Sequence, residues 1–297
     1  MEILPTHRHF SICVIPECGT SLALESWTDP EEELYDLLDK ERSYESQMRS
    51  SRQMKVEISH AGKDTSMTVS EEVVFLLDVD NTLLDNDHIG SDLSHHLAQE
   101  FGGKNRDRYW DIFETLRKEL GYADYLGALQ RYRVETMNDP RLLMMSSFLV
   151  DYPFAERLYP GALDLLAHLD HRGRTVILSD GDVVFQPRKI QRSGLWDAVK
   201  GRVLIYLHKE HMLADVERRY PARHYVMIDD KLRILRAMKQ VWGDRLTTIS
   251  PRQGHYALDQ KNLTAYPPAD LTVERIGELV KHDLPALLGI VDTRPTE

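Results

Sequence analysis

An α/β fold is expected for this chain: a doubly wound parallel sheet with an all-helical segment inserted after its first strand. From Val73 onward, short apolar runs alternate with helix-length amphipathic stretches, the pattern of parallel strands joined by crossover helices. Three of those runs end directly in an acid or a hydroxyl, at Asp78, Ser179 and Asp229. The carboxyl ends of strands are where open α/β sheets bind ligands. The interval from Asp85 to Tyr159 breaks the alternation and carries no strand pattern.

Residues 1–70 come first and differ from the rest. Ser, Glu, Asp and Lys dominate from Ser26 to Ser70 and apolar periodicity is weak, so a poorly ordered or appended extension is expected. Within it, Glu31 to Ser46 reads as a short charged helix and Met54 to Ile58 as a marginal strand. Val73-Val74-Phe75-Leu76-Leu77 is a buried strand by its length and composition. Helices are then expected over 92–101, 107–120, 122–136 and 141–149, separated by Gly102-Gly103, Gly121 and Asn138-Asp139-Pro140. These 75 residues, 85–159, are long enough for a separate small domain, placed to close over the end of the first strand. A helix over 162–171 follows, bounded by Pro160-Gly161 and Gly173. Strands at 175–178, 203–207, 224–228 and 246–249 alternate with helices at 188–196, 210–220 and 231–242. The core is thus assigned to 71–84 and 160–297, and the helical cap to 85–159.

Composition narrows the function. A formal net charge of -11 argues against nucleic acid as a partner. It leaves room for an anionic substrate, because a bound metal ion and local cations can reverse the sign of a pocket. No apolar run reaches bilayer length, and the first twenty residues lack the pattern of a secretory signal, so no membrane partner and a cytoplasmic location are expected. Cys13 and Cys18 make no disulfide framework. Neither serves a cysteine-dependent phosphatase, since Gly19 and Leu24 stand where that chemistry needs an arginine. Asp85-Asn86-Asp87 is not a calcium loop, because Ile89 and His96 fill two ligand positions. Phe101-Gly102-Gly103-Lys104 lacks the glycine spacing of a P-loop and reads as a helix end.

The chemistry is concentrated at the strand ends. Asp78 and Asp80, spaced by one residue, repel each other and call for a cation; a hard divalent ion such as Mg²⁺ suits them. Ser179-Asp180 ends the second run of the core, His208-Lys209-Glu210 follows the third, and Asp229-Asp230-Lys231 follows the fourth. In a doubly wound sheet all these ends face one edge. Tyr122, Tyr125, Arg131 and Tyr132 fall on the helical insert at helical spacing, as packing or as specificity residues. Pro251 to Tyr256 forms a loop near the same edge. Asp182 and Arg188 read equally as pocket residues or as a helix cap and a solvated cation. The histidines at 95, 96, 208 and 211 read as surface residues.

Taken in order, Asp78-x-Asp80-x-Thr82, Ser179, Lys209 and Asp229-Asp230 resemble the four motifs of the haloacid dehalogenase (HAD) superfamily of phosphohydrolases, over roughly residues 72–250. Asn81 stands where many members have Gly, and Glu210 follows the lysine where Pro is frequent. Lys189 is the alternative to Lys209, at forty rather than twenty residues before Asp229. The resemblance implies a Rossmannoid core with a helical cap, and a phosphatase with Asp78 as nucleophile forming an aspartyl-phosphate. It makes Asp80 the general acid and base, a role worth roughly 10²–10⁴-fold. It implies Mg²⁺ held by Asp78, the Asp80 backbone carbonyl, and Asp229 or Asp230. Ser179 and Lys209 would bind phosphoryl oxygens, and Thr82 would support the loop. The second acid, Asp80, favours phosphoryl transfer over dehalogenation, because a departing halide needs no proton. The implied substrate is a small phosphorylated metabolite. A phosphotransferase or mutase, and a ligand-binding scaffold without turnover, are the alternatives.

Overall fold

Five apolar residues in succession cannot face water on either side, and β1 (Val73–Leu77) is buried along its whole length. It lies inside a parallel sheet with β2 (Arg174–Asp180), β3 (Val203–Tyr206), β4 (His224–Ile228), β5 (Leu246–Pro251) and β6 (Leu271–Val273). The computed structural model describes residues 73–135 and 139–282. The expected extension 1–70, with its helix at 31–46, its strand at 54–58 and both cysteines, lies outside the described residues. Among the described residues the strand order is β3-β2-β1-β4-β5-β6, every neighbour parallel. The chain steps outward from β1 through β2 to β3, then crosses back to β4 on the other side of β1. That reversal opens a crevice between the carboxyl ends of β1 and β4, the usual ligand position in such sheets. Backbone hydrogen bonds carry the pairing past both ends: Asp78 N–H donates to Ile228 C=O at 3.0 Å and Asp229 N–H to Ile249 C=O at 3.1 Å.

Among the described residues the helices are α1 (Asn86–Phe101), α2 (Gly103–Leu120), α3 (Tyr125–Glu135), α4 (Arg141–Val150), α5 (Ala162–Asp170), α6 (Phe185–Arg192), α7 (Leu195–Ala198), α8 (Leu213–Arg219), α9 (Leu232–Trp242), α10 (Gly254–Leu258) and α11 (Gln260–Ala265). Alternation along β1 divides the core. Val74 and Leu76 point to the face packed by Ile234, Leu235 and Met238 of α9, where Tyr225 and Trp242 stack at 4.2 Å. Val73, Phe75 and Leu77 point to the other face, and their apolar cluster runs on without a break into Leu93, Tyr109 and Phe113 of the helices after β1. Among the described residues no helix is long and apolar enough to cross a membrane.

Three differences from expectation have local causes. α1 begins at Asn86 rather than 92, because Asp85 caps it, accepting the His88 N–H at 3.0 Å. The helix expected over 188–196 is two, broken at Gly194, whose φ is 83°. β6 was not expected: three residues at the sheet edge, Leu271-Thr272-Val273, are too short for readable alternation. Where the insert rejoins the sheet, the backbone of Gly161 meets that of Gly277. A Cβ at 161 would lie 2.9 Å from Gly277 Cα, and one at 277 would lie 2.5 Å from the Pro160 carbonyl oxygen.

Candidate active site

The strand ends deliver their acids to one point. Asp78 follows β1, Asp229 and Asp230 follow β4, and all three are buried. One carboxylate oxygen from each falls within 4.8 Å of the others. Lys209, from the 3₁₀ turn Lys209–His211 after β3, reaches the same point. Its ammonium lies 2.5 Å from Asp78 Oδ1 and 2.7 Å from Asp229 Oδ2. Ser179, in β2, donates to Asp78 Oδ1 at 3.4 Å and accepts from Gln186 Nε2 at 2.9 Å. Asp78, Ser179, Lys209, Asp229 and Asp230 therefore converge, as the motif order leads one to expect. Thr82 joins two of the loops: its hydroxyl accepts the Asp230 N–H at 3.1 Å.

Asp80 goes elsewhere. Its carboxylate turns away from the acid cluster to Lys189, Nζ to Oδ1 2.6 Å, and Lys189 also donates to Asn86 Oδ1 at 3.0 Å. Of the acids expected around a metal, Asp80 thus contributes no side chain to the cluster, which leaves its backbone carbonyl for the role the resemblance implies. The two lysine candidates divide the site between them: Lys209 serves Asp78 and Asp229, Lys189 serves Asp80. Both are 1% exposed.

The loop after β1 is held by Asn81, whose φ is 60°. Among non-glycine residues Asn enters this region most readily, and here its side chain also works. Oδ1 accepts the N–H groups of Asn86 and Asp87 at the start of α1, at 3.0 and 3.2 Å. Gly254, at φ 70°, lies so close that a Cβ there would sit 2.4 Å from Asn81 Cβ. The neighbouring His255 donates its N–H to Asp87 Oδ2 at 2.8 Å. The segment 251–256, expected as a loop near this edge, is instead the end of β5 and the start of α10, and its His255 and Tyr256 line the site.

Electrostatics favour a cation at the acid cluster. Burial pushes Asp230 well above the usual carboxylate range, and Asp229 and Asp78 push the same way against Lys231. Burial likewise raises Asp229, against the opposing pull of Lys209. Burial alone would depress Lys209, but Asp229, Asp78 and Asp180 more than offset it and hold its pKa above the ordinary lysine value. Even so, Asp78 Oδ2 and both Asp230 oxygens are buried with no hydrogen-bond partner among the described residues. Buried oxygens without donors are costly. Three such oxygens on converging carboxylates match the ligand chemistry of a small hard divalent cation.

Four residues of the site had no role assigned from the sequence, although two of them, Asp180 and Lys231, stand in the strand-end runs. Asp180 accepts the Lys209 N–H at 2.7 Å, and burial raises its pKa. Lys231 lines the cleft with its ammonium 5.2 Å over the Tyr256 ring. Arg233 also lines it, paired to Glu210 at 2.6 Å. Asp180 and Lys231 each adjoin a motif residue in sequence, a signal that could have found them; Gln186 and Arg233 carry none.

The family model for haloacid dehalogenase-like hydrolases matches residues 73–241. The chain belongs to this family. A solved structure of a haloacid dehalogenase-like hydrolase from Burkholderia xenovorans LB400 is 71% identical, covering 72% of this chain and 99% of that one, with a TM-score of 0.69. The HAD hydrolase YfnB from Bacillus subtilis, solved bound to magnesium, is 18% identical and shares the fold with a TM-score of 0.50, covering 74% of this chain and 100% of that one. The L-2-haloacid dehalogenase PA0810 is also 18% identical, with a TM-score of 0.52 over 71% of this chain and 98% of that one. No curated protein matches the chain. Family membership makes the chain a HAD-like hydrolase, and the converging acids lie within the matched residues.

Proposed function

We propose that the protein is a Mg²⁺-dependent phosphohydrolase that removes phosphate from a small phosphorylated metabolite through an aspartyl-phosphate on Asp78. One observation carries this reading: two acids a single residue apart have separate surroundings. Asp78 is buried beside Lys209 and Ser179, while the Asp80 side chain is 24% exposed and lines the cleft. Separate environments for neighbouring carboxylates suit separate roles. An Asp78 oxygen attacks phosphorus and the bond to the ester oxygen breaks; the departing oxygen takes its proton from Asp80. Water then attacks phosphorus, Asp80 takes its proton, and the phosphorus–Asp78 bond breaks to free phosphate. In this reading Lys209 and Ser179 bind the phosphoryl oxygens, and Lys189 with Asn86 holds the Asp80 carboxylate in one orientation. Asp78, the Asp80 carbonyl, and Asp229 or Asp230 would hold Mg²⁺, which would supply positive charge against the phosphate dianion. The helices over 86–150 act in this reading as the cap that excludes water and selects the leaving group.

A dehalogenase would leave Asp80 without a task, since halide departs unprotonated. The deciding assay offers phosphate monoesters and L-2-halo acids to the protein with Mg²⁺, beside Asp78→Asn. Phosphate release that Asp78→Asn lowers by about 10³-fold or more is expected, because the covalent route is then closed. Halide release with every phosphate ester untouched would overturn the proposal.

A further inference from the structure

The cleft is larger than a phosphoryl group needs. Its volume, about 620 Å³, is the size that encloses a whole small-molecule ligand. One wall is backed by a chain of aromatic rings, of which Phe185, Tyr125 and Phe113 are buried in the apolar core and Trp110 is half buried. Phe185, Tyr125, Phe113 and Trp110 touch in succession, with ring centroids 5.3, 4.8 and 5.2 Å apart. The wall starts beside the acid–base residue, for Lys189 Nζ lies 5.0 Å over the Phe185 ring while it holds Asp80. It ends at the partly buried Trp110. Tyr122, from the turn after α2, and Tyr256, from the core, line the same space. Glu114 and Arg117, paired at 3.0 Å, add an acceptor and a donor to the lining.

Resting on the phosphohydrolase reading, we infer that the leaving group ends in a planar heteroaromatic ring, and that the substrate class is the nucleoside 5′-monophosphates. A ring carried beyond a pentose has Trp110, Tyr122 and Tyr256, half buried and lining the cleft, for offset or edge contacts. A two-carbon acid would leave most of the wall uncovered. A bare sugar phosphate has no planar face to set against Trp110 and Tyr122.

The test measures kcat/KM with Mg²⁺ for four nucleoside 5′-monophosphates, ribose 5-phosphate and 2-phosphoglycolate. At least one nucleotide is expected to exceed ribose 5-phosphate about ten-fold, and Tyr122→Ala and Trp110→Leu to lower that ratio by about the same factor, the usual worth of one base–aromatic stack. Ribose 5-phosphate or phosphoglycolate turned over as well as every nucleotide overturns the inference, as does a ratio that survives both substitutions. A second arm titrates Asp78→Asn with the same nucleotides and ribose 5-phosphate by calorimetry. Tighter binding of a nucleotide supports the inference even if no ester is hydrolysed, in which case the phosphohydrolase reading alone falls. Equal binding, or none, overturns the inference while leaving any observed hydrolysis in place.

Discussion

Lys209 stands between two buried carboxylates, and its loss would strand both. Lys209→Met is expected to abolish turnover and to lower stability by about 3–5 kcal/mol, the usual cost of breaking a buried ion pair from one side, read by urea denaturation. Gly254→Ala meets two obstacles, a left-handed φ and the Asn81 side chain at 2.4 Å. It should cost more than about 1 kcal/mol by the same measurement. The acids of the site were legible in the sequence because each ends an apolar run, and the backbone pattern alone brings strand ends together. The partner of Asp80 was not. Lys189 is 109 residues away within a helix, where a lysine ordinarily reads as part of a solvated face. Only the packing of α6 against α4 and the bonds from Lys189 to Asp80 and Asn86 show that it points inward.

Helix starts were less legible than helix existence. α1 opens six residues early because a carboxylate and an amide carbonyl, Asp85 and Asn81, take up the free N–H groups of its first turn. Asp85→Ala should therefore destabilise by about 1 kcal/mol, seen as a lower urea midpoint with the slope unchanged. The five longer strands were visible as apolar runs, whereas β6 makes its ladder with three residues and owes its place to pairing with β5, a contact no local pattern records. The expected helix over 188–196 failed at Gly194 for a related reason: the glycine is visible, but whether the chain turns there depends on what packs beyond it.

Two ionic effects belong to the molecule entire. Asp87, Asp170 and Asp270 are all buried enough for burial to oppose their charge, yet hydrogen bonds and cations overcome it and depress their pKa values. An acid depressed in the folded state takes up its proton first in the unfolded chain, so the stability it gives is present at neutral pH and lost as pH falls. Thermal midpoints should drop from about pH 5 downward, and, because these groups are partly exposed, less steeply in high salt. The acid cluster behaves oppositely, as a burden until a cation arrives. At pH 7, Mg²⁺ at a hundred times its dissociation constant should add about 2.7 kcal/mol. Asp230→Asn should remove that gain and raise the metal-free melting temperature, measured by scanning calorimetry with and without the ion. At the root of the insert, Gly161 and Gly277 touch backbone to backbone. Compensation, the ordinary route by which a packed pair drifts, is closed to them: neither residue can shrink to admit a larger neighbour. The two sites are therefore frozen as a couple, and any sequence that abandons one must also re-seat the 3₁₀ turn Ile276–Lys281 that carries Gly277.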